Sequence, residues 1–285
     1  MIQQLLNGII TGSLYALIAV GLTMVYGILR ILHIAHAAVF VSGAYLGLLT
    51  YTYTQSLIVA LLAAAAGCSV LGYLIQRYLY TPMLAEERIV PLIASVGLFI
   101  FCEDLFRLLG GPYIRAFKVD LWFEKVSFFQ AIVTSHQVLI LIATAACLIA
   151  VYAIITHTKL GLAWQATAQD MDTACAMGVN IRQVVTFNFI IASSIAAVAG
   201  VMTAINYNSV LPTMGSVISY KMFAIVVLGG MGSIPGTILA GLIIGMSETF
   251  MSAYFGFIMP RDAIAFTAMI LILIVRPQGL FGKAR

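Results

Sequence analysis

The sequence predicts an all-α, polytopic bundle of transmembrane helices. Of its 285 residues, 62% are hydrophobic and 8% are charged, whereas a soluble domain carries about 25% charged residues. The mean hydropathy is +1.08, and apolar runs of about 20 residues, the length that crosses a bilayer, recur along the chain. These observations exclude a soluble enzyme, a disordered chain and a nucleic-acid-binding protein.

The apolar runs are interpreted as one transmembrane domain, 1–285, with eight or nine spans. The last third of the chain divides less clearly into spans than the rest, so the sequence allows either count. The first run should remain as a span, because residues 1–29 contain no Lys or Arg and so lack the basic start of a secretory signal. The runs are 5–29, 36–54, 57–79, 89–109, 137–156, 184–206, 217–231, 236–257 and 263–275.

Small and rigid residues interrupt the final third between two apolar runs. Glycine and proline weaken a helix interior, and a break at membrane depth is tolerated only where protein or a cavity surrounds it. We therefore expect a structural hinge, with a re-entrant half-helix near 220–236. The hinge residues are Gly229, Gly230, Gly232, Pro235 and Gly236.

The basic residues of the short loops indicate which face is cytoplasmic. With the N-terminus outside, eight Lys and Arg residues fall on the inner face and five on the outer face. Because cytoplasmic loops carry the basic excess, we expect an N-out, C-in arrangement. The inner set is Arg30, Arg77, Arg88, Lys159, Arg182, Arg276, Lys283 and Arg285; the outer set is Arg107, Arg115, Lys118, Lys125 and Arg261.

Small residues spaced four apart predict close contacts between helices. In lipid there is no hydrophobic force between helices, so small residues that let backbones approach are favoured at their interfaces. Taken together, these pairs favour a tightly packed bundle. The pairs are Gly8 and Gly12, Gly43 and Gly47, Ala196 and Gly200, Gly232 and Gly236, and Gly241 and Gly245.

Segment 107–136 is too polar to span and is expected to be an extracytoplasmic loop. It mixes charges of both signs with aromatic side chains. Such a segment could lie flat as an amphipathic cover over the bundle, or it could receive a partner. The residues in question are Arg115, Lys118, Asp120, Trp122, Phe123 and Glu124.

Segment 157–183 is the second polar stretch and is expected on the cytoplasmic face. The sequence predicts one short helix bounded by Gly161 and Gly178, with Asp170 and Asp172 near its middle. Gly178 suits the left-handed residue that ends a helix, and Asn180 can cap the next one. A helix outside the bilayer with small residues is a shape suited to docking another protein.

Polar residues inside spans are costly and mark functional positions by default. His33 and His36, three apart, would share a helix face and either line a gate or form a hydrogen-bonded break between spans. Lys221 and Glu248 are the two unexplained charges of opposite sign, so a buried pair between them is a hypothesis. The candidates for the translocation path are Thr11, Ser13, Tyr15, His33, His36, Ser42 and Asn206.

The remaining charged residues and the cysteines form no pattern typical of a catalytic or metal site. Glu103 and Asp104 lie one turn before Arg107 and favour a local ion pair. The four cysteines include no CxxC pair, so neither a disulfide framework nor a metal site is expected. The chain also lacks the G-x-x-x-x-G-K-[ST] loop that cradles phosphates. The sequence therefore contains no group of residues whose spacing suggests catalysis.

Four segments resemble a known transport family. The chain from Asn7 begins NGIITGSLYALIAVGLTMVYGILRILHIAHAAVFVSGAY and resembles permeases for branched-chain amino acid uptake, LivH-type. VVLGGMGSIPGTILAGLIIG and RPQGLFG match that family too. GLAWQATAQDMDTACAMGVNIRQV resembles the coupling loop of an ABC-importer membrane subunit. One departure is His36 followed by Ala37 and Ala38, a pattern more usual in the sister permease subunit.

The resemblance implies an importer of amino acids whose ATP is hydrolysed by separate subunits. It implies no cofactor in this chain, with ATP and Mg²⁺ bound by two partner ATPases. The other expected partners are a homologous second permease and an extracytoplasmic amino-acid-binding protein, at a bacterial inner membrane. The residues expected to couple to the ATPase are Gln169, Asp170, Met171, Asp172, Ala174, Met177 and Gly178.

Two alternatives remain open from the sequence. The first is the same type of permease carrying urea or short-chain amides, because a path built from Thr, Ser, Tyr and Asn could pass either kind of solute. The second is a self-sufficient channel or secondary transporter. That class is expected to show inverted repeats and an ion site at the midplane, and the missing carboxylate cluster argues against it.

Overall fold

The protein is described here by a computed structural model, which describes residues 1–83, 86–119, 126–128, 131–254, 256, 260, 262–276 and 278–282. Eleven helices and four short strands occur in this part of the chain. The helices are α1 (Ile2–Leu29), α2 (His36–Thr54), α3 (Leu57–Met83), α4 (Ile89–Gly110), α5 (Ser135–His157), α6 (Lys159–Gln169), α7 (Met171–Ala176), α8 (Ile181–Asn206), α9 (Met214–Gly229), α10 (Ile234–Tyr254) and α11 (Ala263–Val275). The strands are β1 (Arg115–Ala116), β2 (Val126–Phe128), β3 (Ala131–Val133) and β4 (Ser209–Val210).

Six of these helices, α1, α3, α4, α5, α8 and α10, are long and apolar enough to cross a membrane. The prediction of an all-α polytopic membrane protein is therefore confirmed. α9 and α11 are apolar but shorter, with 16 and 13 residues. At 1.5 Å per residue they span about 24 and about 20 Å, less than the roughly 30 Å of a hydrocarbon core.

α1 lies at the centre of the bundle, buried on all sides along most of its length. It is apolar around its whole circumference, as expected of a helix with no exposed face. α10 packs antiparallel against it through glycines: a Cβ on Gly12 would lie 2.8 Å from Leu242 Cα, and Gly245 faces Gly12. The small pairs on these two helices therefore meet each other.

α2 and α8 make a second close contact of the same kind. A Cβ on Gly47 would lie 2.5 Å from Val201, and Gly43 lies directly against Ala197. Gly200 in turn backs onto the carbonyl of Phe40. The backbones can approach only because these positions carry no larger side chain.

Segment 157–183 contains two helices, so the prediction of one helix between Gly161 and Gly178 is wrong. Gly161 lies inside α6, where its amide donates to the Thr158 hydroxyl. Asp170 ends α6 with extended backbone (φ −150°, ψ 113°), and its carboxylate accepts the Thr173 amide at 2.9 Å. An aspartate that caps a new helix interrupts the old one, because the cap residue is itself non-helical.

The end of segment 157–183 follows the sequence. Gly178 has φ +87°, the left-handed conformation that costs glycine least. The Asn180 side chain accepts the Gln183 amide at 3.2 Å and caps α8.

Segment 107–136 begins with the last turn of α4 and continues as strands. β1 pairs antiparallel with β4, and β2 pairs with β3. Arg107 makes the expected ion pairs with Glu103 (2.6 Å) and Asp104 (2.9 Å). Asp120, Trp122, Phe123 and Glu124 lie outside the described residues, so their expected interfacial role stays a prediction.

The chain turns between α9 and α10, where the glycine-rich hinge was predicted. Gly230 (φ +103°) and Gly232 (φ +90°) adopt conformations that favour glycine, and Gly229 lies against Gly236. Pro235 occupies the first turn of α10, where its missing N–H costs no helix hydrogen bond. Within residues 220–236 the chain is thus the second half of α9, a tight turn and the start of α10.

Candidate functional site

A cavity of about 250 Å³ lies between α1, α9 and the chain that follows α8. α1 contributes Thr11, Leu14, Tyr15 and Ile18, and α9 contributes Met214, Val217, Ile218 and Lys221. Both sets follow the i, i+3, i+4, i+7 spacing of one helix face. The remaining polar wall is formed by Thr203, Tyr207, Ser209 and Asp262.

Lys221 is the centre of a charged network at the wall of this cavity. Its ammonium donates to Glu248 Oε2 at 2.9 Å and to the Tyr15 hydroxyl at 2.9 Å. It lies 2.7 Å from Asp262 Oδ1. The Tyr15 hydroxyl in turn donates to Glu248 Oε2 at 2.8 Å. The network therefore joins α1, α9 and α10 to the residue that precedes α11.

The charged members of this network differ in how deeply their side chains are buried. The side chains of Lys221 and Glu248 are 4% and 0% exposed, whereas that of Asp262 is 48% exposed. A buried charge is tolerated only when it is paired and hydrogen-bonded. Lys221 donates to Glu248 and Tyr15 and is ion-paired with Asp262. Removing one partner of a buried pair typically costs about 3–5 kcal/mol. The Lys221–Glu248 pair thus depends on both members.

The two-helix segment, α6 and α7, lies at the C-terminal end of α1, beyond the central turns that line the cavity. The Arg30 guanidinium, just past the end of α1, donates to the carbonyls of Ala168 (3.5 Å) and Gln169 (3.4 Å). Tyr15 and Arg30 are 15 positions apart, or about 22 Å of helix. A single rigid helix therefore touches both the cavity and the two-helix segment.

Asn188 connects the two-helix segment to the spans. Its side-chain amide donates to the Met24 carbonyl at 3.0 Å and accepts the Trp164 indole N–H at 3.1 Å. The amide is 3% exposed, so losing either bond would leave a buried polar atom without its partner. Through this residue, α6 is tied to both α8 and α1.

The outer surface of the two-helix segment is open. Met177 is 81% exposed, and the side chains of Gln169, Asp170 and Asp172 are also exposed. The Thr173 amide that donates to Asp170 holds the pKa of that carboxyl below its ordinary value, so the carboxylate is charged at neutral pH. Ala174 is buried beneath this surface.

The comparisons with known proteins agree over nearly the whole chain. Residues 4–275 match the family model described as the permease component of the branched-chain amino acid transport system. The chain belongs to this permease family. It is 34% identical to the permease BraD of Pseudomonas aeruginosa and to LivH of Escherichia coli K12, with 99% of this chain and 96% of each relative covered.

A more distant relative and a solved structure add detail. The permease is 27% identical to LivM of Escherichia coli K12, over 95% of this chain and 68% of that protein. The higher identity to LivH and BraD makes it a LivH-type member, despite the His36–Ala37–Ala38 sequence. PsaBC from Streptococcus pneumoniae shares the fold, with a TM-score of 0.55 at 13% identity, covering 96% and 92% of the two chains. Like its permease relatives, the chain is a transport subunit and not an enzyme.

The cavity of this permease contains two of the seven residues expected along a path. Thr11 and Tyr15 line it. The hydroxyls of Ser13 and Ser42 instead donate to carbonyls of their own helices, Ile10 and Ala38, at 2.8 Å. Asn206 ends α8, beside the cavity residue Tyr207.

His33 and His36 do not share a helix face, so that expectation is wrong. α1 ends at Leu29, with Arg30 left-handed at φ 53°, and α2 begins at His36. His33 therefore lies in the connection, where its Nδ1 is 2.7 Å from the Tyr80 hydroxyl. The two rings are buried with centroids 5.7 Å apart, away from the cavity. This geometry favours the break between helices over the path lining, with the hydrogen bond made by His33.

Sequence reasoning missed Asp262 and Tyr80 in the permease, and it did not pair the intramembrane polar residue Asn188 with Trp164. Asp262 was overlooked, although an acidic residue directly before an apolar run is a recognisable helix-start signal. The Trp164–Asn188 bond joins residues 24 positions apart, and no local pattern indicates it. The π-helical turn of α3, Ile75–Tyr80, places Tyr80 against His33; single π-helical turns have no simple sequence signature and are frequent at functional sites.

Proposed function

We propose that this chain is the permease subunit of an ATP-driven importer and forms the path for branched-chain or other apolar amino acids. The single observation that carries the proposal is the arrangement along α1, with a solute-sized cavity beside its middle and an exposed two-helix segment at its C-terminal end. The relatives named above, which are permeases for branched-chain amino acid transport, supply the solute class.

The cavity suits a small amphipathic solute. Its volume of about 250 Å³ is just below the roughly 300–1,000 Å³ of pockets that hold drug-sized ligands. Its wall is mostly apolar, and the polar groups are confined to a few positions. Thr11, Tyr15 and Lys221 contribute polar atoms on the face where α1 meets α9.

The two-helix segment is the proposed ATPase-docking surface. Asp170, Asp172 and Met177 extend from the bundle with exposed side chains, and Arg30 and Asn188 fix the segment to the spans. Force applied to the segment by ATP binding would then be transmitted to α1 and α8, which reach the cavity. ATP can shift the conformation only if the ATPases bind the two states with different affinity.

The proposed assembly contains two permeases, two ATPases and a binding protein. Escherichia coli K12 has both LivH and LivM as permeases of a system with the same name, which supports a homologous second permease beside this chain. ATP and Mg²⁺ would be held by the ATPase subunits, with no cofactor in this chain. An extracytoplasmic binding protein would deliver the amino acid.

The proposed membrane arrangement has eight or nine spans in a bacterial inner membrane, N-out and C-in. The six long helices are joined by α2 and by the shorter α9 and α11. A short or broken helix at membrane depth is acceptable where it lines a cavity, and α9 does so. The two-helix segment then faces the cytoplasm, and the chain after α8 that lines the cavity lies toward the outside.

Purification of the tagged chain from its native membranes tests this function. Two ATPases and a homologous permease should copurify, and leucine-loaded binding protein should stimulate ATP hydrolysis and drive leucine uptake into proteoliposomes. Stimulation by urea or short amides alone would replace the solute. A chain that purifies alone and moves solute without ATP would overturn the importer and establish a channel or carrier.

A further inference from the structure

The cavity wall carries one cation and one half-exposed carboxylate, and these touch each other. Among the described residues, Lys221 and Asp262 are the only charged side chains that line it, and their atoms are 2.7 Å apart. Several of the other lining side chains are apolar, namely Leu14, Ile18, Phe40, Met214, Val217 and Ile218. The wall thus presents adjacent charges of opposite sign beside an apolar surface.

We propose that Lys221 and Asp262 form a charge-exchange site that recognises the zwitterionic head group of an amino acid. The proposal rests on the proposed function and names residues that select the solute. The solute carboxylate takes the place of Asp262 on the Lys221 ammonium, and the solute ammonium pairs with the released Asp262 carboxylate. The apolar side chain lies along the α1 and α9 faces.

The exchange is balanced because each charge keeps a partner of opposite sign. Lys221 donates hydrogen bonds to Tyr15 and Glu248 and is held to Asp262 by an ion pair alone, so Asp262 is the contact that a solute carboxylate replaces. Moving a zwitterion from water into an apolar cavity without counter-charges would be strongly unfavourable. Lys221 and Asp262 avoid that cost if they separate and each pairs with the opposite charge of the solute. An uncharged amide gains no equivalent stabilisation from them.

Asp262 is the partner whose carboxylate can separate from Lys221. Tyr15 and Glu248 are buried within α1 and α10, and both are hydrogen-bonded to Lys221 and to each other. Asp262 is at the N-cap position of α11, yet its side chain makes no capping hydrogen bond. Because it is half-exposed, its carboxylate can leave Lys221 without being left buried and unpaired.

The test measures solute binding to the purified complex through the rise in its thermal unfolding temperature, which grows with ligand concentration relative to the dissociation constant. The probes are leucine and 4-methylpentanoate, which share the side chain and carboxylate but differ in the ammonium. In Asp262→Asn, we expect the leucine concentration for half-maximal effect to rise about tenfold, or about 1.4 kcal/mol. The value for 4-methylpentanoate should be unchanged or lower.

Two further variants make the result specific. Asp262→Glu restores a carboxylate and should recover the preference for leucine. Asp104→Asn removes an exposed carboxylate that is ion-paired with Arg107 outside the cavity, and it should leave both solutes unchanged.

The outcomes separate this proposal from the proposed function. If Asp262→Asn alters both solutes equally, or behaves as Asp104→Asn while the unmodified complex imports leucine, the charge-exchange site is wrong and the importer stands. If the unmodified complex imports no leucine with ATPases and binding protein present, the proposed function is wrong and the charge-exchange site is lost with it.

Discussion

At the scale of single residues, the most demanding feature is a lysine in the interior of a membrane protein, with two hydrogen-bonding partners and a second carboxylate beside it. Lys221 and Glu248 lie 27 positions apart on consecutive helices, and Tyr15 joins them from the other end of the chain. The ammonium also lies 5.1 Å from the centre of the Tyr15 ring, within the range of a cation–π interaction. The conformation of this network is therefore set by three helices together.

Replacing Lys221 alone should destabilise the protein more than replacing both members of the pair. Lys221→Met leaves Glu248 buried without its cation, which typically costs about 3–5 kcal/mol. The double change Lys221→Met/Glu248→Gln removes both charges and should recover much of that loss. Folded yield and thermal unfolding in detergent measure this; equal losses in single and double variants would show that the ion pair contributes little.

Asp170 should control the start of α7 through its side chain. Asp170→Ala removes the acceptor for the Thr173 amide, so hydrogen exchange at Thr173 should become faster. Asp170→Asn keeps an acceptor and should stay close to the unmodified protein. Asp172→Ala, in the same turn, is the control, because its carboxylate makes no hydrogen bond within the described part of the chain. Equal exchange in all four proteins would contradict the capping role.

The pH dependence of this cap follows from the lowered pKa of Asp170. A carboxyl whose pKa is lower in the folded protein stabilises it at pH values above the ordinary pKa of about 3.9. That contribution is lost as pH falls through the lowered value. Protection of the Thr173 amide should thus be constant from neutral pH to about pH 5 and decline only in stronger acid, when exchange is corrected for its intrinsic pH dependence.

At the scale of helices, glycine positions determine which spans can touch. α1 and α10 meet at Gly12 and Gly245, and α2 and α8 meet at Gly43 and Gly200. Each contact brings backbone to backbone, so the gain is dispersion and the close fit of the helices. The cavity lies beside the first of these contacts, which makes its shape sensitive to the α1–α10 distance.

Gly12→Leu should separate α1 from α10. A Cβ at this position would already be 2.8 Å from Leu242 Cα, and overpacking of this kind typically costs about 1–3 kcal/mol or more. We expect a lower unfolding temperature and reduced transport.

Gly97→Leu is the matched control, because nothing lies within 4 Å of a Cβ there. In a helix, replacing an exposed glycine even gains roughly 0.5–1 kcal/mol of propensity. If both variants lose the same stability, the α1–α10 contact is not the cause.

At the scale of the whole molecule, the proposed function depends on the two-helix segment lying on the cytoplasmic face, with the cavity deeper along α1. The structure gives their separation along α1, and the basic residues of the loops predict which face is cytoplasmic. Cys175, on the two-helix segment, is exposed, whereas Cys68 and Cys102 are buried. A native cysteine therefore reports the sidedness directly.

A membrane-impermeant maleimide should label the chain in inside-out vesicles stripped of ATPase, but not in sealed right-side-out vesicles. Cys175→Ser should abolish this labelling and serves as the control. Labelling only from the outside would reverse the N-out, C-in arrangement.

The sequence by itself determined the membrane class, the approximate helices and the family. These follow from composition, from runs of apolar residues and from contiguous motifs, all of which are local properties. α2, for example, begins and ends at the residues predicted for it, 36 and 54. Local chemistry also determined the left-handed Gly178 and the cap at Asn180.

Only the tertiary structure decided which residues form the site. Ser13 and Ser42 are polar residues inside predicted spans, as Thr11 and Tyr15 are. Their hydroxyls, however, donate to carbonyls of their own helices. Asp262 joined Lys221 only because α9 and the start of α11 come together in space. The physical reason is that a buried polar side chain is defined by the partner that satisfies it. In a bundle of nearly uniform apolar helices, that partner depends on how the helices pack.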